Sequence, residues 1–311
     1  KYVVGKGKVL DIYIRALAVD ANILIFDHEL SPSQARSISD IVDMRVIDRT
    51  QLILDIFARR AKTKEGKIQV ELAQLRYYMP RLVGRNPSLS RLAGGIGTRG
   101  PGESKLEIDR RKAKDRMTRL EKEAQAISRK RRLTRMRRQR SEIPVISIIG
   151  YTNTGKSTLL NSLTKSSVLT ADMPFATLDP SSKRLRFPRD IEVIITDTVG
   201  FIRDLPQDLR AAFMATLEEL EDANLLLEVI DLTDPHMDYR MQAVDDILSD
   251  LHLEGKPRLK VFNKADRCPP DFAETVAGRY GGVAVSALDR STLRPLIEKM
   301  EAFFLNARSR G

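Results

Sequence analysis

The chain has 311 residues, 42% of them hydrophobic, enough to bury the cores of two ordinary domains. A single cysteine, Cys268, excludes a disulfide framework and a cysteine-based metal site, and fits a reducing compartment; His28, His236 and His252 show no ligand spacing. The net charge of +11 is concentrated: residues 85–140 hold 19 Lys and Arg against 6 Asp and Glu, a net of +13, while the rest holds 34 against 36. A block this basic points to a polyanion, nucleic acid before a membrane surface, with a solvated helix face as the plain alternative. No apolar run approaches the roughly 18 residues of a membrane-spanning helix, and no signal-peptide pattern is visible. Stable membrane insertion is therefore not expected, and the expected location is the cytoplasm.

Residues 1–48 predict a small α/β piece. Residues 22–26 form a short apolar strand. Ser31 followed by Pro32 caps and opens a helix. Residues 44–47 are a second strand candidate. Such a fragment is expected to be too small for its own core and to lean on the residues after it.

From about residue 50 to 140 the pattern changes. Ile68, Leu72, Leu75, Met79 and Leu82 recur at steps of four and three, as do Ala113, Met117, Leu120, Ala124 and Ile127. Between them, residues 83–104 are rich in Gly and closed by Pro101-Gly102, which cannot continue a helix. The simplest arrangement is two long helices packed antiparallel. The seam fades after Ile127, and the cationic tail beyond it reads either as a linker or as a basic surface. Together, residues 1–143 are expected to form an N-terminal domain, with 1–48 as its α/β part and 50–140 as the hairpin.

Pro144 marks a boundary. Residues 144–311 alternate strands with helices, the signature of a parallel sheet covered on both faces. Strands are predicted at 145–149, 225–231, 259–263 and 282–285, with a hairpin of 183–187 and 191–197. Helices are predicted at 157–163, 208–220, 239–251 and 294–304.

Residues Gly150, Tyr151, Thr152, Asn153, Thr154, Gly155, Lys156 and Ser157 match the phosphate-binding loop G-x-x-x-x-G-K-[ST], between a strand and a helix that continues through Thr158. Its glycines let backbone N–H groups turn inward, and the helix N-terminus adds positive potential. Lys156 is expected to reach the β- and γ-phosphates and Ser157 to ligate Mg²⁺. Asp197-Thr198-Val199-Gly200 ends a strand 41 residues after Lys156. Its carboxylate can hold Mg²⁺ through water, and Gly200 allows its N–H close to the γ-phosphate. Asn263-Lys264-Ala265-Asp266 also follows a strand. Asp266 can accept two hydrogen bonds from guanine that adenine cannot offer. Lys264 can lie along the base, and Asn263 can brace neighbouring loops. Ser286-Ala287-Leu288 would bring backbone N–H groups to the guanine oxygen. Three motifs in order, each at a strand end, point to a guanine nucleotide, with GTP as substrate and GDP as product.

Between the phosphate loop and Asp197 lie Phe175, Ala176, Thr177, Leu178 and Asp179. A threonine here completes a Mg²⁺ shell when γ-phosphate is present; Thr177 is the first choice and Thr170 the second. Residues 164–182 and 200–208 are expected to be mobile without nucleotide. Lys156, Thr177 and Gly200 are the expected catalytic set. Phe201 stands where Ras-like enzymes carry a water-orienting glutamine, which predicts slow intrinsic hydrolysis raised by a partner.

These residues resemble the HflX family of ribosome-associated GTPases over nearly the whole chain. The resemblance is carried by Gly-Lys-Gly-Lys at 5–8, the Gly-rich run 94–103, Asp109-Arg110-Arg111, Gly150-Tyr-Thr-Asn153, residues 175–179 and Asp197-Thr-Val-Gly-Phe-Ile202. It implies an α/β and helical-hairpin domain ahead of a Ras-like P-loop GTPase domain. A monomer is expected. The resemblance implies binding to the large ribosomal subunit and its RNA, in splitting or rescuing stalled ribosomes. It also implies Ser157 and Thr177 as Mg²⁺ ligands and Asn263, Lys264 and Asp266 as guanine readers. Thr154, where the family often has a smaller residue, is expected to matter little. The Gly94–Glu103 loop and the basic helix are expected to face RNA. Two other readings stay open: a GTPase acting on precursors of ribosomal RNA, and a nucleotide-binding scaffold with negligible turnover.

Overall fold

The computed structural model describes residues 4–61, 63–82, 105–140, 143–164, 181–198, 200–201 and 217–308. They fall into two compact units, one holding residues to 59 and 64–128, the other lying mainly beyond 129.

The first unit opens with α1 (Lys6–Ala18), which the sequence pattern does not signal. Only Val9 and Ala16 of this helix are deeply buried, while Leu10, Ile14 and Leu17 stay exposed, so its apolar residues mark no single face. Strand β1 (Ile23–Phe26) pairs in parallel with β2 (Arg45–Asp48), from Ile23 opposite Arg45 to Phe26 opposite Asp48. Helix α2 (Pro32–Ser39) crosses between them. Its capping box is complete: Gln34 N–H donates to Ser31 Oγ at 3.2 Å, and Ser31 N–H to Gln34 Oε1 at 2.8 Å. Val9, Phe26, Leu30, Ile38 and Val42 form a core within this piece, contrary to the expectation that it is too small for one.

It is nevertheless tied to the next helices in the chain. Asp48, 2% exposed, accepts hydrogen bonds from Leu30 N–H at 3.0 Å, Gln51 N–H at 2.8 Å and Tyr77 O–H at 2.7 Å. Arg81 stacks 3.5 Å from the Tyr77 ring centroid and lies 3.3 Å from Asp48. A buried carboxylate with this many donors is satisfied and fixes the packing of its neighbours.

The predicted first long helix is two helices, α3 (Arg49–Arg60) and α4 (Lys64–Leu82). Residues 61–63 (Ala-Lys-Thr) contain no Gly or Pro, so nothing in the sequence announces the break. Helix α5 (Lys105–Arg140) runs unbroken through the cationic tail, which the sequence leaves open between linker and surface. Ile68, Leu72 and Leu120 form the seam, flanked by Leu75, Met117, Ala124 and Ile127. Lys64 meets Glu123 at 3.5 Å and Glu71 meets Arg116 at 2.7 Å, so the helices run antiparallel. Met79 is only half-buried and lies beyond that seam. The Gly-rich loop 83–104 lies outside the described residues.

The second unit is a six-stranded sheet in the order β4-β5-β3-β6-β7-β8. Its strands are β3 (Val145–Ile149), β4 (Ser181–Arg186), β5 (Glu192–Asp197), β6 (Leu225–Asp231), β7 (Arg258–Asn263) and β8 (Val283–Ala284). All neighbours are parallel except β4 with β5. That hairpin turns at Pro188-Arg189-Asp190, where Asp190 adopts φ 66°. The helices are α6 (Lys156–Thr164), α7 (Met237–Asp250), α8 (Pro270–Arg279) and α9 (Arg294–Arg308). Alternating side chains of β6 explain the layering. Leu225, Leu227 and Val229 pack with α6 and α9, whereas Ile230 packs with α7 and α8. Fully buried Leu159 and Leu160 seat α6 on the sheet, each contributing about 1.5–3 kcal/mol by area. Helix α8 is absent from the predicted elements, although Pro269-Pro270 at its start is a helix-opening signal. The predicted helix 208–220 lies almost wholly outside the described residues; its end is a 3₁₀ turn, Glu218–Asp222.

Candidate nucleotide-binding site

All three predicted motifs stand at the carboxyl ends of parallel strands, where open α/β sheets form their binding crevice. The phosphate loop follows β3, Asp197 closes β5, Asn263 closes β7, and Ser286 lies just past β8. Central β3 lies beside β5, and β7 lies between β6 and β8, so sheet order alone brings these ends together.

The loop's glycines are required by geometry. Gly150 has φ 141°, and a Cβ there would lie 2.3 Å from the Val229 carbonyl oxygen. Gly155 has φ 93°, and its Cβ would lie 2.2 Å from Asn263 Nδ2. Both positions combine a left-handed backbone with a close approach, which only glycine tolerates. Asn153, at φ 63°, takes the third left-handed position.

Lys156 is buried, and its ammonium donates to the Tyr151 carbonyl at 2.7 Å. Burial lowers its pKa to about 8, and the nearby Asp197 carboxylate partly offsets this. Ser157 Oγ donates to Asp197 Oδ2 at 2.6 Å, joining the first and second motifs. Gly200, in the second motif, packs against the first: a Cβ there would lie 2.9 Å from Thr152 and 3.0 Å from Lys156 Nζ. Thr198 Oγ1 donates to the Ile148 carbonyl at 2.6 Å, anchoring the strand end. Thr158 lies in the first turn of α6.

Asn263 is 2% exposed and spans the site. Its Nδ2 donates to the Thr154 carbonyl at 2.8 Å, and its Oδ1 accepts from Ala287 N–H at 2.8 Å. Lys264 adopts φ 66° and pairs with Asp231 Oδ2 at 2.6 Å. Ala265 N–H donates to the Val285 carbonyl, and Asp266 is exposed. Ser286 and Ala287 are buried, whereas Leu288 is 75% exposed. Thr154 does more than expected: its hydroxyl donates to the Tyr151 carbonyl at 3.1 Å, while its own carbonyl takes the Asn263 bond. Phe175, Ala176, Thr177, Leu178, Asp179 and Val199, with the alternative Thr170, lie outside the described residues.

Phe201 is fully buried and bridged to Tyr151 as in a parallel sheet. Thr152 N–H donates to the Phe201 carbonyl at 3.2 Å, and Phe201 N–H to the Gly150 carbonyl at 2.9 Å. Its side chain belongs to the core and offers no hydrogen bond to a water.

Sequence reasoning misses Asp231, Asp234 and Arg240. Asp231 accepts from Thr233 N–H and Oγ1 as well as from Lys264. Burial would raise its pKa, but the Lys264 and Thr233 bonds outweigh that and hold it below the ordinary value. The Asp231-Leu-Thr-Asp234 turn after an apolar strand is the available signal. Among the described residues no cluster of three or more His, Cys, Asp or Glu forms a ready metal site, and no helix is long and apolar enough to cross a membrane.

Comparison with known proteins agrees with this arrangement. Residues 145–264 match the family model "50S ribosome-binding GTPase", residues 60–138 "GTP-binding GTPase Middle Region", and residues 1–58 "GTP-binding GTPase N-terminal". A GTPase HflX from Caldanaerobacter subterraneus subsp. tengcongensis is 48% identical over 96% of the chain and 69% of that relative. The GTPase HflX of Escherichia coli is 47% identical over 86% of the chain and 62% of that relative. The crystal structure of a GTP-binding protein from Sulfolobus solfataricus in complex with GDP is also similar. It is 26% identical, with a TM-score of 0.54, over 97% of this chain and 86% of its own.

Proposed function

We propose a ribosome-directed role for this chain, which belongs to the HflX family of GTPases: it binds the large ribosomal subunit and hydrolyses GTP in splitting or rescuing stalled ribosomes. It is a P-loop GTP hydrolase, as its relatives are. The observation that carries the nucleotide assignment is Asn263, whose two buried hydrogen bonds tie the base-reading motif to the phosphate loop. In this reading Lys156 and the loop N–H groups hold the β- and γ-phosphates, and Asp266 selects guanine.

Magnesium fits the residues present. The Ser157 hydroxyl and the Asp197 carboxylate, 2.6 Å apart, are the hard oxygen donors such an ion takes. Ser157 and Thr177 would ligate it, with Asp197 behind. When bound, Mg²⁺ would neutralise charge on the β- and γ-phosphates. Phe201, buried and apolar, leaves this position without a side chain to orient the attacking water. Turnover is therefore low in isolation and raised by a partner.

The partner reading is supported by α5, where Arg110, Arg111, Lys112 and Lys114 are exposed. The family description "50S ribosome-binding GTPase" supports the same reading. Cations spaced along one exposed helix suit backbone phosphates of RNA. The test is co-sedimentation with mature large subunits and with assembly intermediates, using the chain and an Arg110→Glu, Arg111→Glu, Lys112→Glu variant. Preferential binding to mature subunits is expected. The variant should bind more weakly, with a shallower salt dependence by roughly 0.7–0.9 per lost phosphate contact. Equal binding and an equal salt slope in the variant would refute an RNA-facing α5. Preference for intermediates would favour a role on precursor RNA.

A further inference from the structure

The turn that leaves β6 holds both ends of the nucleotide site. At its start, Asp231 pairs with Lys264 of the base motif at 2.6 Å. At its end, Asp234 accepts from His236 N–H at 3.0 Å and faces Arg240 Nε at 2.6 Å. The Asp234 side chain is 5% exposed, so this carboxylate is a fixed partner rather than a mobile surface one. Arg240, in the first turn of α7, lays its guanidinium 4.8 Å from the Tyr151 ring centroid.

Tyr151 is a junction. Its carbonyl receives both the Lys156 ammonium and the Thr154 hydroxyl. Its backbone forms the bridge to Phe201, the residue after Gly200. Whatever fixes Tyr151 therefore fixes the phosphate loop, the resting position of Lys156 and the start of the segment beyond Gly200.

We propose that Arg240 is a positioning residue for GTP binding and hydrolysis. Held by Asp234, it clamps Tyr151 and sets the phosphate loop from behind. The inference rests on reading residues 150–157 as that loop. Arginine suits the task because its planar guanidinium can lie over a ring while its edge stays ion-paired with a carboxylate. Lysine keeps the charge but cannot do both in one geometry. The turn thus becomes a common anchor, with Lys264 at one end and, through Arg240, Tyr151 at the other.

The test compares the full chain with Arg240→Ala, Arg240→Lys, Tyr151→Leu and the Tyr151→Leu/Arg240→Ala pair. GDP binding by the unsubstituted chain is measured first, because failure there would count against the loop assignment rather than against Arg240. Steady-state GTP hydrolysis then gives KM and kcat separately, and thermal melting of the nucleotide-free chain monitors the fold. Arg240→Ala is expected to raise KM by about 2- to 5-fold, the range of a part-exposed cation–π contact. Melting should change little, and Arg240→Lys should recover only part of the loss. Adding Arg240→Ala to Tyr151→Leu should cost nothing further, since the clamp has lost its ring. Asp234→Asn should shift KM in the same direction. An unchanged KM in Arg240→Ala, or fully additive effects in the pair, would overturn the proposal.

Discussion

Asn263 and Thr154 are joined across the nucleotide site by a 2.8 Å hydrogen bond from the Asn263 amide to the Thr154 carbonyl. The other end of the same amide accepts from Ala287 N–H at 2.8 Å. One side chain therefore fixes the phosphate loop and the loop that follows β8 at a single spacing. Asn263→Ala would leave a buried carbonyl and a buried N–H without partners, at roughly 1–3 kcal/mol each. GDP affinity is expected to fall by about 10- to 100-fold, measured by titration with a fluorescent analogue. An affinity within twofold of the original chain would mean that the brace is not needed.

Ser157 and Asp197 make a second pair, 2.6 Å apart. If they flank the Mg²⁺ position, Ser157→Ala should remove most of the Mg²⁺-dependent gain in nucleotide affinity while leaving the Mg²⁺-free affinity nearly unchanged. Titrations with the metal and with a chelator make the comparison. An intact Mg²⁺ response would move the metal site elsewhere.

Glu228 gives the fold a pH dependence. It is 1% exposed in the middle of β6, its carboxylate 3.3 Å from Arg258 Nη1, and neither oxygen has a hydrogen-bond partner among the described residues. Burial pushes its pKa up from 4.5 to about 7; Arg258 and Lys260 pull it down, and Asp245 adds slightly to the rise. The folded value lies above the unfolded one, so the protonated form favours the fold. Its contribution is full below about 4.5 and is lost as pH rises through about 7. Urea unfolding should show the chain losing stability between pH 5 and pH 8. Glu228→Gln should flatten that slope and exceed the original chain at pH 8 by on the order of 1–3 kcal/mol. Parallel pH profiles for the two proteins would rule out Glu228 as the source.

Asp266 carries the base assignment. It is exposed in the 3₁₀ turn Ala265–Arg267, beside the fixed Lys264. Asp266→Asn exchanges an acceptor for a donor and should trade guanine preference for xanthine preference in competition binding. Retained guanine selectivity would show that another group reads the base.

Much of this is legible in the sequence because the relevant signals are local. A buried parallel strand is an apolar run, and the predicted limits of β3, β6 and β7 lie within a residue of those observed. The phosphate loop and Asn263-Lys264-Ala265-Asp266 declare themselves through residues adjacent in the chain. The antiparallel seam of α4 and α5 is visible because its period extends over several turns. What stays hidden depends on partners far apart. Asp48 reads as an ordinary strand-end acid, and only the fold brings Tyr77 and Arg81 to it. Arg240 reads as one more charge on a surface helix until Tyr151 lies beneath it. Helix α1 escapes notice because its apolar residues point both inward and outward. Thr154 looks idle when contact with the nucleotide is the only role considered, but its bonds are to the protein.

Subunit-activated hydrolysis is tested most directly by phosphate release from GTP by the chain alone and with added large ribosomal subunits. With Phe201 buried where a water-orienting side chain would be needed, release by the chain alone should be slow. Large subunits should raise it by at least about tenfold, in the manner of partner-activated GTPases. A rate that is the same with and without subunits would rule out activation by the large subunit.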